Sequence, residues 1–300
     1  MEAWIPITIF AAFFQNVRTA LQKYLKDRLS TGGATYVRFL FGAPFALVYF
    51  LGLDHFTELP VPTPNANFAI FVFIGGLAQI LATALLVALF SLKNFAVGTT
   101  YSKTETVQAA IFGIVILNET VGYGGLLAIA ISFVGILLMS MSNSAFTVRD
   151  FFSGWTSKAA VYGLLSGGLF GISAVTYRAA SLSLGGEGAI MQAAFTLVCV
   201  LFFQTFVMSV YLPLREPGQI TKVIKAWRVA VIVGLTGMLG SVGWFTAMTL
   251  QNAAYVRALG QVELVFTFAV SYFYFKEKTN RVEALGISLV VLGILVLLLD

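Results

Sequence analysis

The stretch "GGLAQILATALLVALFSLKN", residues 75–94, lies over "VGLTGMLGSVGWFTAMTLQN", residues 233–252, when the chain is shifted by 158 positions. The shift sets Gly76 on Gly234, Leu81 on Leu239 and Asn94 on Asn252. Followed outward, it carries Glu105 onto Glu263, Glu119 onto Glu277 and Gly135 onto Gly293. Any one matched pair is worthless, but a single offset held over about sixty residues marks an internal duplication. The duplicated unit is apolar along most of its length, so the fold question becomes how often each copy crosses a membrane.

Composition supports that question being asked. Of 300 residues, 59% are hydrophobic and 10% charged, whereas soluble domains carry about 25% charge. The mean hydropathy is +0.90. The apolar runs are roughly 20 residues long, enough to span hydrocarbon as helix, and they lack the two-residue alternation of a membrane barrel. An all-α integral membrane protein follows. Turn residues and charges punctuate ten transmembrane helices, near 4–26, 33–53, 66–92, 95–117, 120–141, 158–183, 187–212, 228–250, 253–275 and 280–299. A polar linker at 142–157, in "SNSAFTVRDFFSGWTSK", separates a five-helix unit at 1–141 from a second at 158–300. An odd number of spans per unit inserts the second upside down, giving two inverted five-helix repeats, the architecture of secondary transporters.

Loop charges give an independent orientation. Lys26, Arg28, Lys93, Arg149, Lys158, Arg215, Lys222, Lys225, Arg228, Lys276, Lys278 and Arg281 all fall in loops on one side. The other side offers Glu2, Asp54, His55, Glu58, Glu119, Glu187 and Asp300, without lysine or arginine. Basic loops stay in the cytoplasm, which puts both termini outside. The net charge of +5 is thereby a membrane signature; no basic, aromatic-interleaved stripe points to nucleic acid. The first apolar run has no basic leader and is broken by Gln15, Asn16 and Arg18, so it reads as a retained helix.

Nothing in the sequence asks for a cofactor or metal. Cys199 and His55 are each the sole residue of their kind, so neither a disulfide within the chain nor a grouped metal site is expected. The runs "GGLAQILAT", "LLSGGLFGIS" and "GLTGMLGSVG" lack the lysine and preceding strand of a phosphate loop and instead let helices approach. The reading from another class is a non-transport membrane enzyme or a sensory or structural subunit; no Ser/His pair or nucleophile motif appears, which argues against the enzyme. The expected partners are a small-molecule substrate and the lipid bilayer; the sequence sets no oligomeric state, and a monomer is compatible with the architecture.

The paired five-helix halves, "SKTE" at 102–105, and the acidic residues Glu119 in "ILNET" and Glu277 in "YFKEK" resemble the drug/metabolite transporter superfamily, specifically its EamA-like ten-helix carriers. That resemblance covers nearly the whole chain. It implies a multi-pass carrier or exporter of small organic solutes in the plasma membrane, the inner membrane of a bacterium, working by alternating access around a central cavity. Many relatives are thought to keep both termini in the cytoplasm, from which the loop charges here depart.

Charged side chains at mid-membrane cost about 2.5–3.5 kcal/mol each on insertion scales, so they face a cavity or a partner. Glu105 and Glu263 sit near the centres of the fourth and ninth spans. On a straight helix residues two apart point about 200° from each other, which sends Lys103 and Glu105 to different faces. Tyr101, Thr104, Glu105 and Gln108 then form one polar stripe and Thr99, Lys103 and Thr106 another, while the ninth span sets Arg257 and Gln261 on one face and Glu263 on another. The first span contributes Asn16 and Arg18, the sixth Tyr177 and Arg178, and Trp244 stands in the eighth beside Gly240 and Gly243, which leave room for a ligand. These twelve residues, Asn16, Arg18, Tyr101, Lys103, Glu105, Gln108, Tyr177, Arg178, Trp244, Arg257, Gln261 and Glu263, are the candidate substrate-binding set. Arg38 reads as an anchor whose stem reaches the cytoplasmic surface. With Arg38 set aside, in-span bases outnumber the two glutamates, which favours a zwitterionic or anionic solute such as an amino acid or organic acid. Proton-coupled efflux of lipophilic cations, using either glutamate, is the competing transport reading, and the surplus of bases counts against it.

The orientation is checked by thiol labelling of intact cells in a Cys199→Ala background. An impermeant reagent is expected to label Glu187→Cys and to spare Ser144→Cys; the opposite pattern inverts the topology.

Overall fold

The computed structural model describes residues 2–89, 92, 100–142, 157–186, 188–269, 273 and 280–299. Several residues of the sequence reading lie outside this set, among them Lys93, Asn94, Thr99, Ser144, Arg149, Glu187, Lys276, Glu277, Lys278 and Asp300. Among the described residues the chain is α-helical, in the order α1 (Trp4–Leu25), α2 (Thr31–Phe56), α3 (Ala66–Leu89), α4 (Glu105–Leu117), α5 (Tyr123–Ser142) and α6 (Lys158–Ser183). Then come α7 (Ala189–Arg215), the short α8 (Gln219–Lys225), α9 (Trp227–Leu250), α10 (Ala253–Leu259), α11 (Val262–Ala269) and α12 (Arg281–Leu299). Seven of them, α2, α3, α5, α6, α7, α9 and α12, are long and apolar enough to cross a bilayer.

Short polar side chains start these helices by accepting from otherwise unpaired backbone N–H groups. Ser30 Oγ accepts from Gly33 N at 3.0 Å, Asn65 Oδ1 from Phe68 N at 2.8 Å, Ser157 Oγ from Ala160 N at 3.2 Å and Asn280 Oδ1 from Glu283 N at 2.8 Å. At the far end of α4, Asn118 takes the left-handed conformation (φ 54°) and its N–H bonds back to Ile114 O, which stops the helix. Between the helices pack two apolar clusters, one around Phe39, Leu197 and Val233, the other around Ala11, Met248 and Val290. Outward-facing side chains such as Val48, Phe73, Val115, Leu127 and Leu298 are exposed, a surface that lipid covers at no cost.

Helix contacts repeat under the sequence shift. The pair α3 and α6 packs extensively, as does the pair α9 and α1 that the shift sets over it. The helices α5 and α12, which map onto each other, pack together. There a Cβ on Gly135 would stand 2.6 Å from Gly286 O, and one on Gly293 would stand 2.8 Å from Ala128 O. Since the shift of 158 relates Gly135 to Gly293 and Ala128 to Gly286, the two close approaches are one contact made twice.

The segments expected as straight spans at 95–117 and 253–275 are broken within their described residues. Lys103 and Thr104 form a turn before α4, and Gly260 with Gln261 a turn between α10 and α11. At these turns the backbone bonds tighten to three-residue spacing, Lys103 N to Thr100 O, Thr104 N to Tyr101 O, Gln261 N to Ala258 O and Glu263 N to Gly260 O. The breaks overlap under the shift, which sets Lys103 on Gln261.

Glycine at the α5–α12 seam is expected to be required for packing. Gly293→Ala should lower stability by about 1–3 kcal/mol through overpacking, read as a drop in detergent melting temperature. Gly52→Ala, where no atom lies within 4 Å of the added carbon, serves as the control. Equal melting of the two variants removes the seam's importance.

Candidate functional site

Where the broken spans meet α1, α2, α6 and α9, a cavity of about 470 Å³ opens in the bundle, within the usual range for small-molecule sites. The breaks explain its charge. A tightened turn advances about 120° per residue instead of 100°, which narrows the angle between Lys103 and Glu105 from about 160° to about 120°, and both long side chains reach the cavity. For the same reason Arg257 and Glu263 line it together. Each carboxylate opens a half-helix, Glu105 at the first position of α4 and Glu263 at the second of α11, where the helix dipole favours negative charge.

The ion pairs cross between the halves. Lys103 pairs with Glu263, and Arg257 Nε lies 2.9 Å from Glu105 Oε1, a charge contact whose angle falls short of a hydrogen bond. Gln15 Nε2 adds a hydrogen bond to Glu263 Oε2 at 3.0 Å, and Asn16 Nδ2 donates to Glu263 O at 3.2 Å and Thr267 Oγ1 at 2.9 Å, tying α1 to α11. The Arg257 guanidinium also sits 4.8 Å above the Trp244 ring, a cation–π contact.

Of the twelve candidates, Asn16, Arg18, Lys103, Glu105, Tyr177, Trp244, Arg257 and Glu263 line this cavity. The other four stand elsewhere. Tyr101 is fully buried in a small cluster with Ala160. Gln108 donates to Thr104 Oγ1 at 2.7 Å and to Leu164 O at 3.4 Å, so the stripe it shares with Tyr101 and Thr104 faces α6 and not the cavity. Gln261 donates to Thr106 Oγ1 at 3.0 Å, joining the two breaks. Arg178, expected with Tyr177 among the substrate-binding residues, instead closes the far end of the bundle. Its Nε bonds Glu119 Oε1 at 2.7 Å, and Nη1 donates to the carbonyls of Met248, Thr249 and Gln251 at 2.6–3.2 Å, neutralising the end of α9.

Two further corrections concern space and charge. Gly240 and Gly243 do not leave ligand room beside Trp244; they face the α1 backbone, where added Cβ atoms would lie 3.4 Å from Ala11 O and 3.0 Å from Ile7 O. The indole instead lies across Gly260 at the ninth-span break, with Nε1 unpartnered among the described residues. Arg38 is no surface anchor, being 4% exposed and a wall of the cavity. The signal was present, because an arginine seven positions into an apolar span is costly wherever it cannot reach water. Gln15, Gln79, Ser241, Phe170 and Phe245 also line the cavity. Gln79 belongs to a buried cluster that no motif announced: Tyr177 OH lies 2.9 Å from Gly75 O and 3.1 Å from Gln79 Oε1, and Gln204 Nε2 donates to both Tyr177 OH and Gln79 Oε1.

A helical membrane bundle with a charged, ligand-sized cavity and short connecting loops is the design of a solute transporter. The sequence model of the EamA-like transporter family matches residues 2–141 and 157–299, and the chain belongs to that family, within the drug/metabolite transporter superfamily. No curated protein matches it. Among 28 similar chains of solved structures, one titled simply as a crystal structure of a protein superposes with a TM-score of 0.72, covering 99% of this chain and 96% of its own at 12% identity. That likeness concerns the fold.

The Arg178 tie is expected to hold the far end of the bundle shut. Its side chain is 13% exposed and that of Glu119 20%, so solvent screening is modest. Arg178→Gln should cost about 3 kcal/mol by stranding Glu119, with partial recovery in the double variant Arg178→Gln/Glu119→Gln. Unchanged melting of the single variant in detergent refutes the tie.

Proposed function

We propose that the chain is a ten-span secondary carrier, built as inverted five-helix units 1–141 and 158–300 joined by 142–157. In this reading it moves a small organic metabolite bearing an anionic group across the plasma membrane, the inner membrane of a bacterium, by alternating access. An amino acid or another zwitterionic or anionic solute fits the reading; catalysis plays no part in it. The observation that carries it is the pair of crossed ion contacts, Lys103 with Glu263 and Arg257 with Glu105, at breaks in two spans related by the duplication. Discontinuous spans that meet at mid-membrane are where secondary carriers bind their solutes, and charges exchanged between the halves couple binding to rocking of one half on the other. Asn16, Arg18, Arg38, Tyr177 and Trp244 then contact substrate beside them. Efflux of lipophilic cations would require a carboxylate free to trade a proton for the drug, and both cavity carboxylates already face a base.

The two glutamates hold unequal roles in this mechanism. Glu263 is gripped by Lys103 and Gln15, and its backbone by Asn16, while Glu105 makes its close contact with Arg257 and feels the Lys103 charge without an ion-pair contact. Glu105 is therefore the carboxylate that can release its partner to substrate. Uptake into liposomes by purified protein at matched content tests this: Glu105→Gln should lose at least about tenfold in rate, since one missing charged contact is worth about 1.5–3 kcal/mol, while keeping its melting temperature. Glu263→Gln should mainly melt lower. Native transport by Glu105→Gln beside a folded but inactive Glu263→Gln reverses the assignment, and absence of uptake for every zwitterionic and anionic solute tried removes the carrier reading.

A further inference from the structure

The cavity's ion pairs leave two cations over. With Lys103 held by Glu263 and Arg257 by Glu105, Arg18 and Arg38 have no carboxylate among the described residues. They are 5% and 4% exposed, and the Nε of each lacks a hydrogen-bond partner. Their remaining polar contacts are stretched, Arg18 Nη2 to Thr19 Oγ1 and Arg38 Nη2 to Ser241 Oγ, both at 3.4 Å. Both stems cross α9 at one position: a Cβ on Gly237 would stand 3.3 Å from Arg18 Cδ and 3.4 Å from Arg38 Cγ. Two arginine stems thus share one seat on α9, where burial leaves little water to screen repulsion between their charges.

The duplication supplies a comparison within the same molecule. The shift of 158 sets Gln79 on Gly237, and Thr176 and Thr196 where Arg18 and Arg38 would be answered. On that side Gln79, Tyr177 and Gln204 hydrogen-bond one another without charge, with Gln204 Oε1 left unpartnered among the described residues. One wall of the cavity is therefore tied up in neutral hydrogen bonds, while the wall related to it presents two arginine Nε donors that nothing in the described chain uses.

We propose that Arg18 and Arg38, seated on Gly237, form the anion subsite of the cavity, and that the subsite selects a doubly charged oxyanion head over a monocarboxylate. This rests on the carrier reading and narrows its substrate to compounds bearing a phosphate or phosphonate monoester or a pair of carboxylates. Charge decides it: Arg18, Arg38, Lys103 and Arg257 against Glu105 and Glu263 leave a surplus of two among the lining residues, which a dianion cancels and a monoanion halves. Geometry agrees, because guanidinium forks bind oxyanions through paired hydrogen bonds. The organic remainder lies against Trp244, Phe245 and Phe170.

Calorimetric titration of the purified full chain in detergent, in a buffer free of multivalent anions, reads the subsite directly. The probes are phenyl phosphate, phenylsuccinate, phenylacetate and benzylamine, so that phosphate and dicarboxylate heads are separated from each other and from singly charged ones. At least one of the two dianions should bind about tenfold or more tighter than phenylacetate, and benzylamine should not compete. Arg18→Gln and Arg38→Gln should each weaken that dianion by about tenfold or more, the value of one charged hydrogen-bond set. Gly237→Ala keeps every charge but displaces both stems, and should weaken the same dianion while melting normally. Where a glutamine variant melts low, Arg18→Lys or Arg38→Lys replaces it, keeping the charge and losing the fork. Equal affinity for phenylacetate and both dianions, native affinity in the folded arginine variants, or tightest binding of benzylamine overturns the subsite. Liposome counterflow keeps the two readings apart: dianion binding without transport overturns the carrier and leaves the subsite, whereas transport of a zwitterionic or singly charged anionic solute without dianion binding does the reverse.

Discussion

A charge inside a bilayer has to be answered by another charge, by water or by ligand, and this requirement organises the centre of the protein. Lys103, Glu105, Arg257 and Glu263 sit at two helix breaks that the duplication relates, and each half supplies the counter-ion for the other. Had each glutamate paired within its own half, the halves would be electrostatically self-contained and free to slide. Crossed pairs make the seam between them polar and specific, together with the Arg178–Glu119 tie and the Gln79–Tyr177–Gln204 network. The cavity is the gap that this polar seam leaves in an otherwise close-packed bundle.

Backbone breaks are what make crossed pairs possible. A continuous helix would turn Lys103 away from Glu105 and Arg257 away from Glu263, so one member of each pair would face neighbours that cannot pair with it. The tightened turns at Lys103–Thr104 and Gly260–Gln261 redirect them, and glycine accommodates the result. A Cβ on Gly167 would meet Ser102 O at 2.7 Å, so α6 can lie directly against the first break, and one on Gly260 would meet the Trp244 ring at 2.5 Å at the second. The aromatic and the arginine above it are thereby held against the break itself.

Duplication set the frame and divergence gave it a direction. The α5–α12 seam keeps the ancestral equivalence, with the same glycine approach made from both sides. Around the cavity the equivalence is lost: a neutral network of Gln79, Tyr177 and Gln204 stands opposite two arginines on a glycine. The bundle's ends differ too, since Arg178 ties α6 to α4 and α9 at one of them. The duplicated halves thus give the cavity two walls of different chemistry.

The membrane class and the duplication were legible in the sequence because both are written in extended patterns: runs of apolar residues about one bilayer long, and an offset that recurs over scores of residues. The membership of Lys103, Glu105, Arg257 and Glu263 in a central site was legible as well, since charge in an apolar run is conspicuous wherever the helix points. What the linear pattern assigned by helical geometry was less secure. It put Tyr101, Thr104 and Gln108 beside Glu105 as a ligand stripe, which holds for a straight helix facing one way and fails for one broken at its centre. Arg38, taken for an anchor, and Arg178, taken for a cavity residue, exchanged roles because an arginine's reach of several ångströms exceeds the precision with which a span's depth can be read from its ends. Which charges pair, which stay bare, and that Gly237 seats two of them were decided by the tertiary structure alone, because each depends on side chains from helices far apart in sequence meeting at one point.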